Sequence, residues 1–167
     1  MKIKKGFSVV LIVFIFAFWD IQCAYGANIG FSYAAKTYKI PKRLLQAICY
    51  VESGFHFYAL DVDGYPVLSN NFGYSFGIGS YFIRRGYSVD VGLMQVNYGI
   101  WAGRLKMNLE ELLIPRNNIL AGAYILRHYY NFTGNIWEAV GRYHSGDPER
   151  AYNYEIKVYE AYKALGR

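Results

Sequence analysis

The sequence predicts a mainly α fold: a helical domain with one small β-hairpin insertion and a long irregular loop. Three observations predict it. Apolar residues recur at helical spacing on both sides of the middle of the chain, most strongly at Ile119, Ala123, Leu126 and Tyr130. Capping residues bracket those segments. Between residues 55 and 90 the helical period is lost, and Gly64, Gly73, Gly77, Gly79 and Gly86 are scattered among aromatics. The 167 residues are 54% hydrophobic and include 18 Tyr, enough for a single packed domain and too apolar for disorder.

The first 26 residues stand apart from that domain. Lys2, Lys4 and Lys5 precede an uncharged apolar run from Phe7 to Trp19, and Ala24 and Gly26 are small residues two apart. This is the pattern of a secretory signal cut after Gly26. The run is short for a membrane anchor of about 20 residues, and no lipobox-like small residues precede Cys23. Cleavage removes three Lys and Asp20, so the net charge falls from +6 to +4. A modestly basic exported protein is suited to an acidic polymer such as wall or surface glycan. Nucleic acid is not expected as a partner, because Lys and Arg do not cluster and the aromatics are not interleaved with them. With Cys23 removed, Cys49 stands alone and no intrachain disulfide can form.

The mature elements, residues 27–167, follow in order. Asn28 caps a short helix through Tyr38. Pro41 opens the next helix, which runs to Glu52 and is stopped by Gly54. The segments Tyr58–Leu60 and Tyr65–Leu68 flank Asp63-Gly64, a hairpin signal. A long irregular loop follows. Its aromatic stretch, residues 72–87, is either a glycan-stacking wall or a loop covering its own small core. Helical pattern resumes at Asp90, read as a cap, and Asn108 with Glu111 forms a capping box. Pro115 precedes the strongest helix, ended by Gly134. A shorter helix covers 136–141, and Asp147-Pro148 opens the last helix, to about residue 165.

One charge is out of place on this plan. Leu44, Ile48 and Glu52 are four apart and share the core-facing side of their helix. Desolvation there disfavours the charged carboxylate, and the negative end of the helix dipole opposes it too. Both effects keep a proton on Glu52 toward neutral pH, as a general acid requires. The alternative is a Glu turned to solvent where the helix frays.

Two further segments bear on that choice: Gly92-Leu93-Met94-Gln95-Val96-Asn97 and Tyr143-His144-Ser145-Gly146. With them the chain resembles the lytic transglycosylases of the lysozyme-like SLT domain. Val51-Glu52-Ser53-Gly54-Phe55 is similar to the family's E-S-x-F motif, and Gly92-Leu93-Met94-Gln95 to its G-L-M-Q. Pro115-Arg116-Asn117-Asn118-Ile119, with Gly122 and Leu126, resembles its D-P-x-x-N-I-x-x-G-x-x-Y-L helix. Tyr143-His144-Ser145-Gly146 stands where the family has Y-N-A-G. The four motifs occur in the family's order over residues 29–165, and their local variants look most like small members associated with conjugation, type III secretion and pilus machines.

The resemblance implies a periplasmic, monomeric enzyme that cleaves the MurNAc–GlcNAc β-1,4 bond of peptidoglycan and leaves 1,6-anhydro ends. Glu52 is then the catalytic acid, and later the base. Gln95, Asn97, Tyr143, Ser53 and Met94 become the substrate-binding residues. Within that set, Met94 is expected to pack beneath the cleft, Ser53 to brace the turn after its helix, and the Tyr143 phenol to reach the Glu52 carboxyl. His144 either holds loop geometry or titrates near neutral pH. No cofactor or metal is expected, since His56, His128, His144 and Cys49 lack ligand spacing. A hydrolytic muramidase remains an alternative and needs a second carboxylate. Asp61, Asp63 and Asp90 are the candidates, with Asp63 assigned to the hairpin turn and Asp90 to a helix cap. A non-catalytic glycan-binding assembly subunit is the other alternative.

Overall fold

The structure, a computed structural model, describes residues 30–166. The signal segment and the Asn28 cap lie outside the described residues. Eight helices and a four-stranded antiparallel sheet are described: α1 (residues 30–38), α2 (Lys42–Ser53), β1 (Leu60–Val62), β2 (Tyr65–Val67), α3 (Phe72–Ile83), β3 (Val89–Val91), β4 (Val96–Asn97), α4 (Tyr98–Leu105), α5 (Leu109–Leu113), α6 (Pro115–Thr133), α7 (Ile136–His144) and α8 (Pro148–Ala164). The mainly α reading holds.

Helix boundaries follow the local chemistry. Gly54 takes a left-handed conformation (φ 57°) and closes α2, and Gly134 (φ 70°) closes α6. The Asn108–Glu111 capping box opens α5, and the Asp147 side chain accepts from the Arg150 N–H at the start of α8. Helix α6 is the axis of the domain. Ile119, Ala123 and Leu126 are buried on one face, and Ala121, Gly122 and Ile125 widen that buried surface, while Arg116, Tyr124 and His128 stay exposed. Gly122 lets Met94 lie against the helix backbone, because a Cβ there would fall 2.7 Å from the Met94 Cβ.

Two expectations are corrected. The aromatic stretch 72–87 is largely a helix, α3, capped by the Asn71 side chain on the Tyr74 N–H. Its glycines each cost about 1 kcal/mol of helix propensity, which is why the sequence reads as a loop. Packing overrides that cost. Gly79 admits the Leu109 side chain, Ser75 donates to the Tyr58 carbonyl, and Phe72 stacks on Phe76 one turn away. The second correction concerns Asp90, which is not a helix cap. It lies in β3, and the following helix, α4, is capped by Asn97.

The hairpin forms as expected, with strand β1 two residues later than read and Asp63-Gly64 turning at φ 50° and 88°. The sheet order is β2-β1-β3-β4. Leu60, Val91 and Val96 are adjacent and buried against the helices, whereas Asp61, Asp90 and Asn97 are adjacent on the opposite face.

Asn118 of α6 ties the sheet to the helices. It is fully buried, accepts from the Met94 N–H (2.7 Å), and donates to the carbonyls of Val91 (2.7 Å) and Leu112 (2.9 Å). Asn118→Ala leaves all three backbone groups without this partner and is expected to cost roughly 2–5 kcal/mol. Chemical denaturation measures it, and a loss below about 1 kcal/mol would show that the surrounding backbone can satisfy itself.

Candidate active site

Helix α2 delivers Glu52 to a cleft. Leu44, Leu45 and Ile48 anchor the helix in the core, each fully buried side chain worth about 1.5–3 kcal/mol. One turn past Ile48 the stripe runs out of core, and Glu52 lines a cavity of about 350 Å³ between the sheet and the C-terminal helices. The carboxyl keeps some contact with solvent through that opening. Burial pushes its pKa up from 4.5 to about 8, against a hydrogen bond from the Tyr154 hydroxyl to Oε1 (2.5 Å); Asp90 and Asp61 raise it further. Glu52 is therefore mostly a protonated acid at neutral pH.

The cleft face of the sheet supplies two more carboxyls. Asp61 and Asp90 are cross-strand neighbours, and both line the cavity. Asp90 is raised from 3.8 to about 6 by burial, against a hydrogen bond from Asn97 Nδ2, with Asp61 adding to the rise. Asp61 accepts from the Gly64 N–H of the hairpin turn. Asp63 lies in that turn and accepts from the Ser88 N–H, so it is a structural residue.

The Gly92–Gln95 segment is a turn packed into the protein, and side chains from three helices satisfy its backbone. Ser53 Oγ of α2 donates to the Leu93 carbonyl (2.8 Å), Asn118 of α6 accepts from the Met94 N–H, and the Tyr143 hydroxyl of α7 donates to the Met94 carbonyl (2.6 Å). Gly92 takes φ 76° and Gln95 φ 43°. The Gln95 amide holds this strained conformation by donating to the carbonyls of Gly92 (2.7 Å) and Ala59 (3.3 Å).

The structure thus brings Glu52, Gln95, Asn97 and Tyr143 to one cavity, while Ser53 and Met94 are buried and do not line it. Asn97 is held by its Asp90 and Ser88 contacts and by capping α4. The Tyr143 phenol serves the Met94 carbonyl instead of the Glu52 carboxyl. The partner of Glu52 is Tyr154 of α8, which the sequence reading did not single out. Its only sequence signal is a helical stripe with Val158 and Ala161, all three buried, and such a stripe does not reveal where a phenol points. His144 lines the cavity and stacks on the Tyr154 ring (4.5 Å, 7° between planes). Its pKa is lowered by burial and by Lys157 and Arg150, so it is neutral at neutral pH. None of residues 72–87 lines this cavity. Cys49 is buried, and burial pushes its thiol up to about 12, too high for a nucleophile. Among the described residues no cluster of His, Cys, Asp and Glu could hold a metal.

Glu52 sets a stability slope of known sign. Between its unfolded value of 4.5 and its folded value of about 8, the unfolded chain loses the proton first, so stability falls as pH rises. Glu52→Gln removes this loss. Its advantage in Tm over the wild type is expected to widen by about 3 °C or more between melts at pH 4.5 and at pH 8. Tyr154→Phe removes a donor that stabilises the carboxylate, so the Glu52 pKa should rise further in a carboxyl NMR titration. A fall would contradict the assigned hydrogen bond.

The same span of chain is similar to known proteins. The family profile described as Transglycosylase SLT domain matches residues 30–163. Protein IpgF of Shigella sonnei is 32% identical over 131 residues, which covers 76% of this chain and 72% of that protein. The X polypeptide of Escherichia coli is 31% identical over 150 residues, covering 81% of this chain and 73% of that protein. The profile match includes Glu52, the Gly92–Gln95 turn and Tyr154 alike, and the chain belongs to the transglycosylase SLT domain family, with its lysozyme-like, mainly helical fold.

Proposed function

We propose that the chain is a murein lytic transglycosylase that cleaves the MurNAc–GlcNAc β-1,4 bond of peptidoglycan and leaves 1,6-anhydro-MurNAc ends. The observation that carries the reading is a carboxyl raised to about 8 and bonded to a neutral phenol at the floor of a cleft. Protonated Glu52 gives its proton to the glycosidic oxygen as the bond from the muramoyl anomeric carbon to that oxygen breaks. The neighbouring N-acetyl oxygen assists at the anomeric carbon. Glu52, now a carboxylate steadied by the Tyr154 hydroxyl, takes the proton of the muramoyl C6 hydroxyl as that oxygen closes on the anomeric carbon. The proton returns to Glu52, no water is consumed, and one carboxyl serves both steps.

Hydrolysis is the second reading, favoured by one observation: Asp61 and Asp90 share the cleft with Glu52. In a muramidase one of them would activate water. Digestion of purified sacculi separates the two. The transglycosylase reading expects 1,6-anhydro muropeptides from the wild type and from Asp90→Asn, the variant losing less than about tenfold in rate. Reducing ends as the product, abolished in Asp90→Asn, would establish hydrolysis. Glu52→Gln should fold, bind glycan and lose lysis by at least about a hundredfold. Undiminished lysis would remove Glu52 from the chemistry and leave a glycan-binding subunit as the surviving reading.

The cellular setting belongs to the same proposal. Residues 1–26 direct export to the periplasm, where the enzyme opens the wall locally for a secretion, conjugation or pilus apparatus. The basic start and uncharged apolar run support export, and membership of the SLT family supports a wall substrate. Fractionation of cells expressing the full chain should recover a shortened periplasmic form. A full-length membrane-bound form would contradict cleavage.

A further inference from the structure

The catalytic cleft does not end at its own rim. Arg142 and Gly146, which line it, also bound a second depression of about 200 Å³ between α7 and α8. Tyr152 and Glu155 of that depression also bound a third, of about 270 Å³, completed by Trp137, Ile156 and Tyr159. The three depressions adjoin at these shared side chains, and together they form an interrupted groove from the cleft at the C-terminal end of α7 along the α7–α8 surface.

The outer part of the groove is apolar for a reason the core does not supply. Helix α8 already buries Tyr154, Val158 and Ala161. Tyr152, Ile156 and Tyr159 form a second stripe at i, i+4 and i+7 that faces solvent, with Tyr152 62% and Tyr159 46% exposed. Two of its rings are aligned along about 10 Å of helix, at 1.5 Å per residue. Trp137 packs perpendicular to Tyr159 (5.3 Å, 79°) and the Lys163 ammonium lies over one face of the Tyr159 ring, so Tyr152 is the more open of the two rings. Glu138, Glu155 and Arg142 stand beside the rings.

Aromatic faces with interspersed carboxylates and a guanidinium match a sugar chain. The C–H face of a pyranose lies on a ring, and its hydroxyls pair with the charged groups. We propose that this groove is an outer glycan subsite: the strand held at Glu52 continues past Arg142 and Gly146 and lies across Tyr152 and Tyr159. The proposal rests on the glycan-cleaving reading and extends it to a surface the chemistry does not use. Long strands fill both regions, whereas short fragments fill the cleft alone, so the groove selects polymer over fragment.

The test is made in the Glu52→Gln protein, which holds glycan without cutting it. Binding is measured to peptide-free glycan strands from purified sacculi and to a GlcNAc tetrasaccharide. Adding Tyr152→Ala or Tyr159→Ala is expected to weaken strand binding about fivefold, as loss of an aromatic anchor does, and to leave tetrasaccharide binding within about twofold. Tyr152→Phe keeps the ring and should bind strands like its parent. Tyr152 is exposed, so its variant reads the groove even if Tyr159→Ala disturbs Trp137. Strand binding unchanged by both alanine variants overturns the groove alone, as does an equal loss on strands and tetrasaccharide. Failure of the Glu52→Gln parent to bind either ligand overturns the groove together with the glycan-cleaving reading.

Discussion

The buried turn at Gly92–Gln95 is the constraint on which the rest of the site depends. A turn inside a protein carries backbone groups that water cannot reach, and each must find a partner or cost about 1–3 kcal/mol. Here Ser53, Asn118 and Tyr143 supply partners from α2, α6 and α7. Those three helices are thereby fixed against one segment of four residues. The residue before Ser53 is Glu52, and the residue after Tyr143 is His144, so satisfying the turn also sets both sides of the cleft. Most of the motif residues act this way: they hold backbone, and Glu52 alone among the expected set offers a proton.

That division explains what the sequence made legible. Helices announced themselves through local chemistry, such as the Gly54 and Gly134 stops and the Asn108–Glu111 box, because a cap is a bond between near neighbours. Helix α3 was hidden because its stability is not local. Its glycines argue for a loop, and the packing of Gly79 on Leu109 and of Ser75 on Tyr58 decides otherwise. Strand β3 was hidden by its length. Three residues, Val-Asp-Val, give too few repeats of a two-residue period to outweigh an Asp that also makes a good cap. The matching Leu-Asp-Val of β1 was the available signal, since two such triplets paired antiparallel place both Asp side chains on one face.

The candidate site was legible to the extent that it is sequential. Glu52 stood out against its own stripe, and Gln95, Asn97 and Tyr143 came with their motifs. Tyr154 did not, because 102 residues separate it from Glu52 and nothing in a tyrosine-rich helix marks the one whose phenol meets the acid. Tyr143 was the natural choice, being in a motif, but its hydroxyl is committed to the Met94 carbonyl. A buried donor has one proton to give, and the turn takes that of Tyr143.

Tyrosine at position 154 also bears on the proposed mechanism, in which one carboxyl serves as both acid and base. A cation bonded to Glu52 would favour the carboxylate strongly and drain the acid form. A neutral phenol supports the carboxylate once it forms, yet leaves burial dominant, and the value settles near 8. The surroundings keep cations from undoing this balance. Arg142 lines the cleft but reaches toward Glu138 on its own helix, 3.9 Å away. His144, stacked on the Tyr154 ring, also lines the cleft, and burial together with Lys157 and Arg150 disfavours its charged form. Asp61 and Asp90 press in the same direction from the sheet, each adding negative potential that favours the proton on Glu52. The proton balance at Glu52 thus follows from three features set elsewhere: a phenol as donor, burial and basic residues on α8 that disfavour the imidazolium, and a strand pairing that turns two aspartates toward the cleft.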